Sequence, residues 1–274
     1  MAGSGDGWDP RLSVHALSSR RWSLGEDLEL YDRLRVRRIS VSLPKLVEMG
    51  LDDAVGEITR RELRVDGIYA GCAFDLGDPS AWPAVQDTMV TAVETGARLG
   101  ADTLQTTGGT AGGRPFEWAT EQFAAALAPV APAARRGGMR IAIEPTRPQF
   151  AHVGFVHTLR DALALAAQTD LWLLLDTAHL WWEPGFAALL TDAAPRCAAV
   201  QMADLGFAGP VLERAVPGDG RLPLGAVMGD LVSAGFAGPF ELEIIGQSID
   251  DEGYESAVRR SLRHLDGLLG DLHA

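Results

Sequence analysis

Two stretches, MRIAIEPTRP (139–148) and LWLLLDTAH (171–179), decide how this chain folds. Each is a short aliphatic run that stops at a carboxylate, Glu144 in the first and Asp176 in the second. Runs this short and this apolar read as strands buried on both faces, the mark of a parallel sheet covered by helices. Working outward, similar runs stand at 12–17 (LSVHAL), 36–43 (VRRISVSL), 65–74 (VDGIYAGCAF), 102–107 (DTLQTT), 197–203 (CAAVQMA) and 239–245 (PFELEII). Between them the apolar spacing changes to three and four: Trp82, Val85, Met89 and Val93; Leu224, Val227 or Met228, and Leu231; Tyr254, Val258, Leu262, Leu265, Leu269 and Leu272. Each set is one stripe of a helix with a single buried face. Gly100, Gly137–Gly138, Pro184–Gly185 and Gly235 punctuate the joints, while 43–62 fits no single pattern.

Strand–helix alternation demands a parallel sheet, because each parallel crossover needs a helix. Eight such units in 274 residues favour a closed (β/α)8 TIM barrel, a single α/β domain of about 250 residues. The expected boundaries are a disordered segment over 1–10, rich in Gly and Asp, and the barrel over 11–274. No Rossmann glycine pattern follows a strand, and no P-loop is present. The Gly-rich GGTAGG (108–113) after strand four reads as a flexible active-site loop rather than a phosphate cradle.

The composition narrows the function. A net charge of −13 opposes binding to nucleic acid and to anionic membranes, since the basic residues occur only as short pairs. Lys45 is the one lysine, and the two cysteines, Cys72 and Cys197, form neither a metal-finger spacing nor a disulfide framework. No apolar run of about 18 residues is present, and 1–10 has no apolar core to act as a signal peptide. The expectation is a cytoplasmic protein acting on a small molecule, with a homo-oligomeric state left open.

In such a barrel the chemistry sits at the C-terminal ends of the strands. Glu144 closes strand five, Asp176 closes strand six, Gln201 lies on strand seven and Glu243 on strand eight. Period-two alternation sets Ile141 and Ile143 against Ala142 and Glu144. It likewise sets Val200 and Met202 against Ala199, Gln201 and Ala203, and Phe240, Leu242 and Ile244 against Glu241 and Glu243. The bulky set packs on the helices, so the polar set points into the barrel. A strand-end carboxylate taken singly is ordinarily a solvated loop residue; four oxygen-bearing side chains on four successive strands converge. Three carboxylates together repel one another and would take up protons, which a divalent cation prevents. Their hard oxygens suit Mn²⁺ or Mg²⁺. His179, three residues past Asp176, and Arg214 and Arg147, each beside a proline-containing turn, are placed to touch a substrate.

On these residues the chain resembles the sugar phosphate isomerase/epimerase superfamily, the xylose-isomerase-like TIM barrels. The segments that carry the resemblance are IAIEPTRP (141–148), LLLDTAHLWWEPG (173–185), VQMAD (200–204), RAVPGDG (214–220) and GFAGPFELE (235–243). They span the C-terminal half, and the N-terminal half matches only in rhythm. The resemblance implies one divalent metal held by Glu144, Asp176, Gln201 and Glu243, with Mn²⁺ or Mg²⁺ ahead of Co²⁺ or Zn²⁺. It implies substrate contacts from His179 and Arg214, and proton transfer next to a carbonyl by Glu144 and Glu243. Two departures stand out. Position 201 is usually His in the isomerases and epimerases, and Gln there is similar to the 3-dehydroshikimate dehydratases. Arg147 replaces a frequent His and adds a cation, hinting at an acidic substrate.

The implied function is a metal-dependent isomerase or epimerase of a sugar or keto-sugar. The alternatives are a lyase of the same superfamily, either 3-dehydroshikimate dehydratase-like or C-glycoside deglycosidase-like, and a non-catalytic binding barrel. A polyhydroxy keto-acid is the other substrate class. A nuclease of the endonuclease IV kind would need three zincs and more histidines than the six scattered here.

Overall fold

The computed structural model describes residues 7–206 and 212–273. Among these residues ten strands form: β1 Leu12–His15, β2 Arg38–Ser42, β3 Arg64–Tyr69, β4 Thr103–Thr106, β5 Arg140–Ile143, β6 Trp172–Asp176, β7 Cys197–Met202, β8 Asp204–Gly206, β9 Glu213–Ala215 and β10 Phe240–Leu242. Eight of them close a parallel barrel in the order β1-β10-β7-β6-β5-β4-β3-β2. Each of the eight runs read from the sequence supplies one barrel strand, with β10 as the eighth. The pair β8–β9 is a short antiparallel hairpin outside the barrel that the sequence pattern did not reveal.

Side-chain direction follows the alternation. Ile141, Ile143, Val200, Met202, Phe240 and Leu242 belong to the large cluster between barrel and helices. Ala142, Leu174 and Ala199 form a small separate cluster with Trp172 inside the barrel. A large aliphatic or aromatic side chain so buried contributes about 1.5–3 kcal/mol, so reversing a strand's faces would be costly. That cost points Glu144, Asp176, Gln201 and Glu243 inward.

The helical stripes form Trp82–Leu99, Leu224–Ser233 and Tyr254–His273. The ambiguous stretch 43–62 resolves into two helices, Leu43–Met49 and Leu51–Arg60, broken at Gly50. The first long helix, Leu24–Leu34, starts at a capping box in which Ser23 and Glu26 satisfy each other's backbone N–H.

Two expectations need correction. Within the segment 1–10, Trp8 and Asp9 are tied down. The Trp8 indole donates to Leu34 O at 2.7 Å, and the Asp9 N–H donates to Asp266 Oδ1 at 2.7 Å; residues 1–6 lie outside the described residues. The glycine loop at 108–113 is also pinned. Gly109 N–H donates to Val153 O at 2.9 Å and Thr110 N–H to Phe74 O at 2.8 Å. A Cβ at Gly109 would sit 2.4 Å from Phe74 O, at a φ of +94°. Gly109 lets two backbones touch, which explains that glycine, while Gly112 and Gly113 stand in open space.

Candidate functional site

The four strand-end residues come from four adjacent strands, since β5, β6, β7 and β10 are neighbours in the ring. Asp176 is paired in register with Gln201, and Gln201 with Glu241. Glu144 and Glu243 each stand one residue past a strand end. Asp176 doubles as the N-cap of the turn Thr177–Leu180, its Oδ1 accepting from Ala178 N–H at 2.7 Å. That turn brings His179 back over the same mouth. His179 Nε2 lies 3.4 Å from Glu144 Oε1 and 3.8 Å from Asp176 Oδ2.

Arg214 reaches the site from β9 rather than from the Pro-Gly turn after it. The hairpin is stapled by Asp204, which accepts N–H groups of Leu205 at 2.9 Å, Leu222 at 2.8 Å and Gly218 at 3.1 Å. A Cβ on Gly220 would collide with that carboxylate at 2.1 Å. So held, Arg214 donates to Asp176 Oδ2 and, at 2.8 Å, to Glu243 O; its Nη1 lies 3.4 Å from Glu243 Oε1. Its Nη2 also meets His179 Nε2 at 3.2 Å. A guanidinium only donates, so His179 carries its proton on Nδ1, which is buried and has no partner.

The electrostatics match this crowding. Burial, then Glu243 and Asp176, push the Glu144 carboxyl well above the usual carboxylate range, and Arg214 offsets only part of that. Burial pulls His179 down to about 4, so its imidazole is neutral at pH 7. Burial works against the Arg214 charge, but Asp176, Glu243 and Glu144 outweigh it and raise its pKa. Tyr69, pushed up to about 12 by burial and by Glu144 and Glu243, stands close by.

Gln201 joins this layer to a second one beneath it. Its Nε2 donates to Glu241 Oε2 at 3.1 Å, while its Oε1 is buried with no partner. Glu241, fully buried, also accepts from Ser40 Oγ and from Gln105 Nε2 at 3.3 Å. His15 completes the set. Its Nδ1 accepts from Leu17 N–H at 3.2 Å, so its Nε2–H donates to Gln105 Oε1 at 3.1 Å. Nδ1 is also 3.8 Å from Glu243 Oε2. Sequence reasoning placed Glu241 on the inward face but gave it no role, and it missed Ser40 and Gln105. The period-two match of Glu241 to Glu243 was the one available signal.

The donor set fits a divalent cation. A buried amide oxygen without a partner is expensive, and so are three carboxylates that share Arg214 as their one ion-paired arginine among the described residues. Glu144, Asp176 and His179 offer ligand atoms within 4.8 Å of one another, as do His15, Glu241 and Glu243. Arg147, the remaining expected site residue, is buried at the same mouth and feels both Arg214 and Asp176.

A family model described as xylose isomerase-like TIM barrel matches residues 32–268. Among solved structures, protein SMc04130 from Sinorhizobium meliloti 1021 is 24% identical, with a TM-score of 0.85 over 94% of this chain and 98% of that one. The IolI protein, solved with a bound zinc atom, is 19% identical, with a TM-score of 0.81 over 95% of this chain and 98% of its own. An L-ribulose 3-epimerase is 19% identical, with a TM-score of 0.75 over 96% and 95%. No curated protein matches the sequence. No described helix is long and apolar enough to cross a membrane.

Proposed function

The chain belongs to the xylose isomerase-like TIM barrel family, and from that premise we propose that it is a divalent-metal-dependent isomerase or epimerase. It removes the proton α to the carbonyl of a sugar or keto-sugar. What supports this reading is that Glu144, Asp176, Gln201 and Glu243 stand at four adjacent strand ends, with Arg214 joining Asp176 to Glu243 and the Gln201 oxygen buried without a partner. These four residues would hold the metal. When bound, the ion supplies Lewis acidity to the carbonyl and its neighbouring hydroxyl. An all-oxygen shell, with Gln201 where the epimerases usually have His, favours Mn²⁺ or Mg²⁺ over Zn²⁺.

The chain's own residues do the proton work. Glu243 takes the α-proton; Arg214 Nη1, 3.4 Å from its Oε1, orients the carboxylate. Glu144 stands three strands round the barrel from Glu243 and is the second carboxyl of the pair, the one that returns a proton to the substrate. Delivered to the opposite face of the same carbon, that proton gives epimerisation; delivered to the adjacent carbon, it gives isomerisation. Neutral His179 donates from Nδ1 to a substrate oxygen, and Arg214 Nη2 keeps its ring in that tautomer.

Calorimetric titration of the metal-stripped protein with Mn²⁺, followed by NMR of ketoses in D₂O, tests this. One ion per chain and deuterium entering at the carbon next to the carbonyl are expected. Equal Mn²⁺ binding by wild type and Asp176→Asn would defeat the metal site, and absence of exchange in the loaded protein would defeat the chemistry.

A further inference from the structure

Among the described residues, three basic side chains other than histidine are buried: Lys45 at 6% exposure, Arg147 at 9% and Arg214 at 9%. Two of them are answered. Lys45 Nζ donates to Asp27 Oδ2 at 2.6 Å and to the carbonyls of Ala16 and Ser19 at 2.9 Å each. Arg214 has Asp176, Glu243 and a carbonyl. Arg147 is not answered. Its side chain forms no ion pair among the described residues, and its Nε–H is buried with no acceptor. A buried N–H with no acceptor is costly, and a ligand at the mouth that accepts from this guanidinium would remove that cost.

The surroundings show where that partner would lie. Arg147 is three residues past Glu144 on the loop leaving β5, and its charge is felt at Arg214 and His179. Phe150 touches both Arg147 and the site. The guanidinium carbon is 5.5 Å from that ring's centroid, and the His179 ring is 5.1 Å away in an edge-on contact. A cation–π contact of this length steers a guanidinium but does not neutralise it. Two partnerless donors, Arg147 Nε–H and His179 Nδ1–H, therefore flank one aromatic wall at the barrel mouth.

We propose that Arg147 is a specificity-determining residue that binds a carboxylate on the substrate, so that this site takes a polyhydroxylated keto-acid in preference to a neutral sugar. The inference rests on the metal-assisted reading of the site given above. The planar guanidinium fork matches a carboxylate in two parallel hydrogen bonds, which a lysine cannot reproduce.

A matched pair of ligands tests it: 5-keto-D-gluconate and L-sorbose, the same skeleton with a carboxylate or a CH₂OH at the end remote from the ketone. Their binding is measured calorimetrically on wild type, Arg147→Met and Arg147→Lys, each with and without Mn²⁺. Wild type should bind the acid about 10- to 100-fold more tightly, the worth of a charge-assisted hydrogen bond. Arg147→Met should lose that preference while holding L-sorbose as before, and Arg147→Lys should keep only part of it. The melting temperature of Arg147→Met should not fall, because the substitution removes a charge with no partner. An acid that binds no better than the ketose, including no binding of either, overturns the proposal. So does a preference that survives Arg147→Met. Failure of Mn²⁺ to bind would sink the proposed function instead, and the metal-free arm still reads the contribution of Arg147.

Discussion

Inside the barrel two polar layers lie one above the other, and they are finished differently. In the lower layer the groups around Glu241 are joined: His15 donates to Gln105, and Gln105, Ser40 and Gln201 all donate to Glu241, with only Ser13 Oγ, in register with Glu241, buried there without a partner among the described residues. In the upper layer Gln201 Oε1, His179 Nδ1 and Arg147 Nε are buried without one. Buried polar atoms are normally satisfied, so a cluster of exceptions at a strand-end mouth marks where a ligand completes the set. The closed layer has another task, which is to hold the open one in shape. Gln201 links the two: its nitrogen donates to Glu241, while its oxygen is buried with no partner.

The strongest test of the division removes chemistry from the upper layer alone. Glu243→Gln has nearly the shape of the native side chain but cannot accept a proton. Deuterium entry next to a ketose carbonyl should fall about 10²- to 10⁴-fold, with the fold and melting temperature retained. Exchange at the wild-type rate would move the base to another residue.

The two layers also differ in how far they could be read from the sequence. Glu144 and Asp176 end aliphatic runs, and Glu243 alternates with Phe240, Leu242 and Ile244, so periodicity alone points them inward. The lower layer draws on β1, β2 and β4, through His15, Ser40 and Gln105. Each shares its strand with other polar residues, Ser13 in β1, Ser42 in β2, Thr103 and Thr106 in β4, and no local pattern fixes its register against distant Glu241. Ring closure of the barrel, which pairs β1 with β10, brings them together. The hairpin that carries Arg214 escaped for a related reason. Three-residue strands are too short for a period, and Asp204, which staples them, acts through backbone N–H groups that no side-chain pattern shows. Arg147 was legible as a cation near the mouth, but its lack of a partner is a property of packing.

A second test asks whether the lower layer positions the upper. Glu241 accepts from the Gln201 amide nitrogen and so fixes which end of the amide is left for a ligand under the proposed function. Glu241→Gln removes that constraint, because a second amide can meet Gln201 with either end. Supporting partners of metal ligands are commonly worth about 10- to 100-fold in affinity, and a loss of that size in Mn²⁺ binding is expected. The same substitution made in a Gln201→Ala background should cost little. If both backgrounds lose equally, Glu241 acts on the fold and the link through Gln201 is broken.

The smallest expected effect concerns protons and separates the layers by pH. Burial and the neighbouring Glu243 and Asp176 hold the Glu144 carboxyl well above its ordinary value of 4.5. A group raised on folding stabilises the native state at low pH, and that contribution disappears as pH rises through its folded value. His179 acts in the opposite direction. Its value falls from 6.5 to about 4, so its contribution is lost as pH drops through that window. A divalent ion can bind only where Glu144 has given up its proton, so binding must release it. Below the folded pKa of Glu144, Mn²⁺ affinity should therefore rise with pH by up to about tenfold per unit, with close to one proton released per ion. Calorimetry in two buffers of different ionisation enthalpy counts that proton. In Glu144→Gln the slope should flatten and the released proton should vanish, even though the overall affinity is lower. A slope that persists in that variant would assign the titrating group to Glu241, whose carboxyl burial also raises, and the lower layer would then share in binding the metal rather than only supporting it.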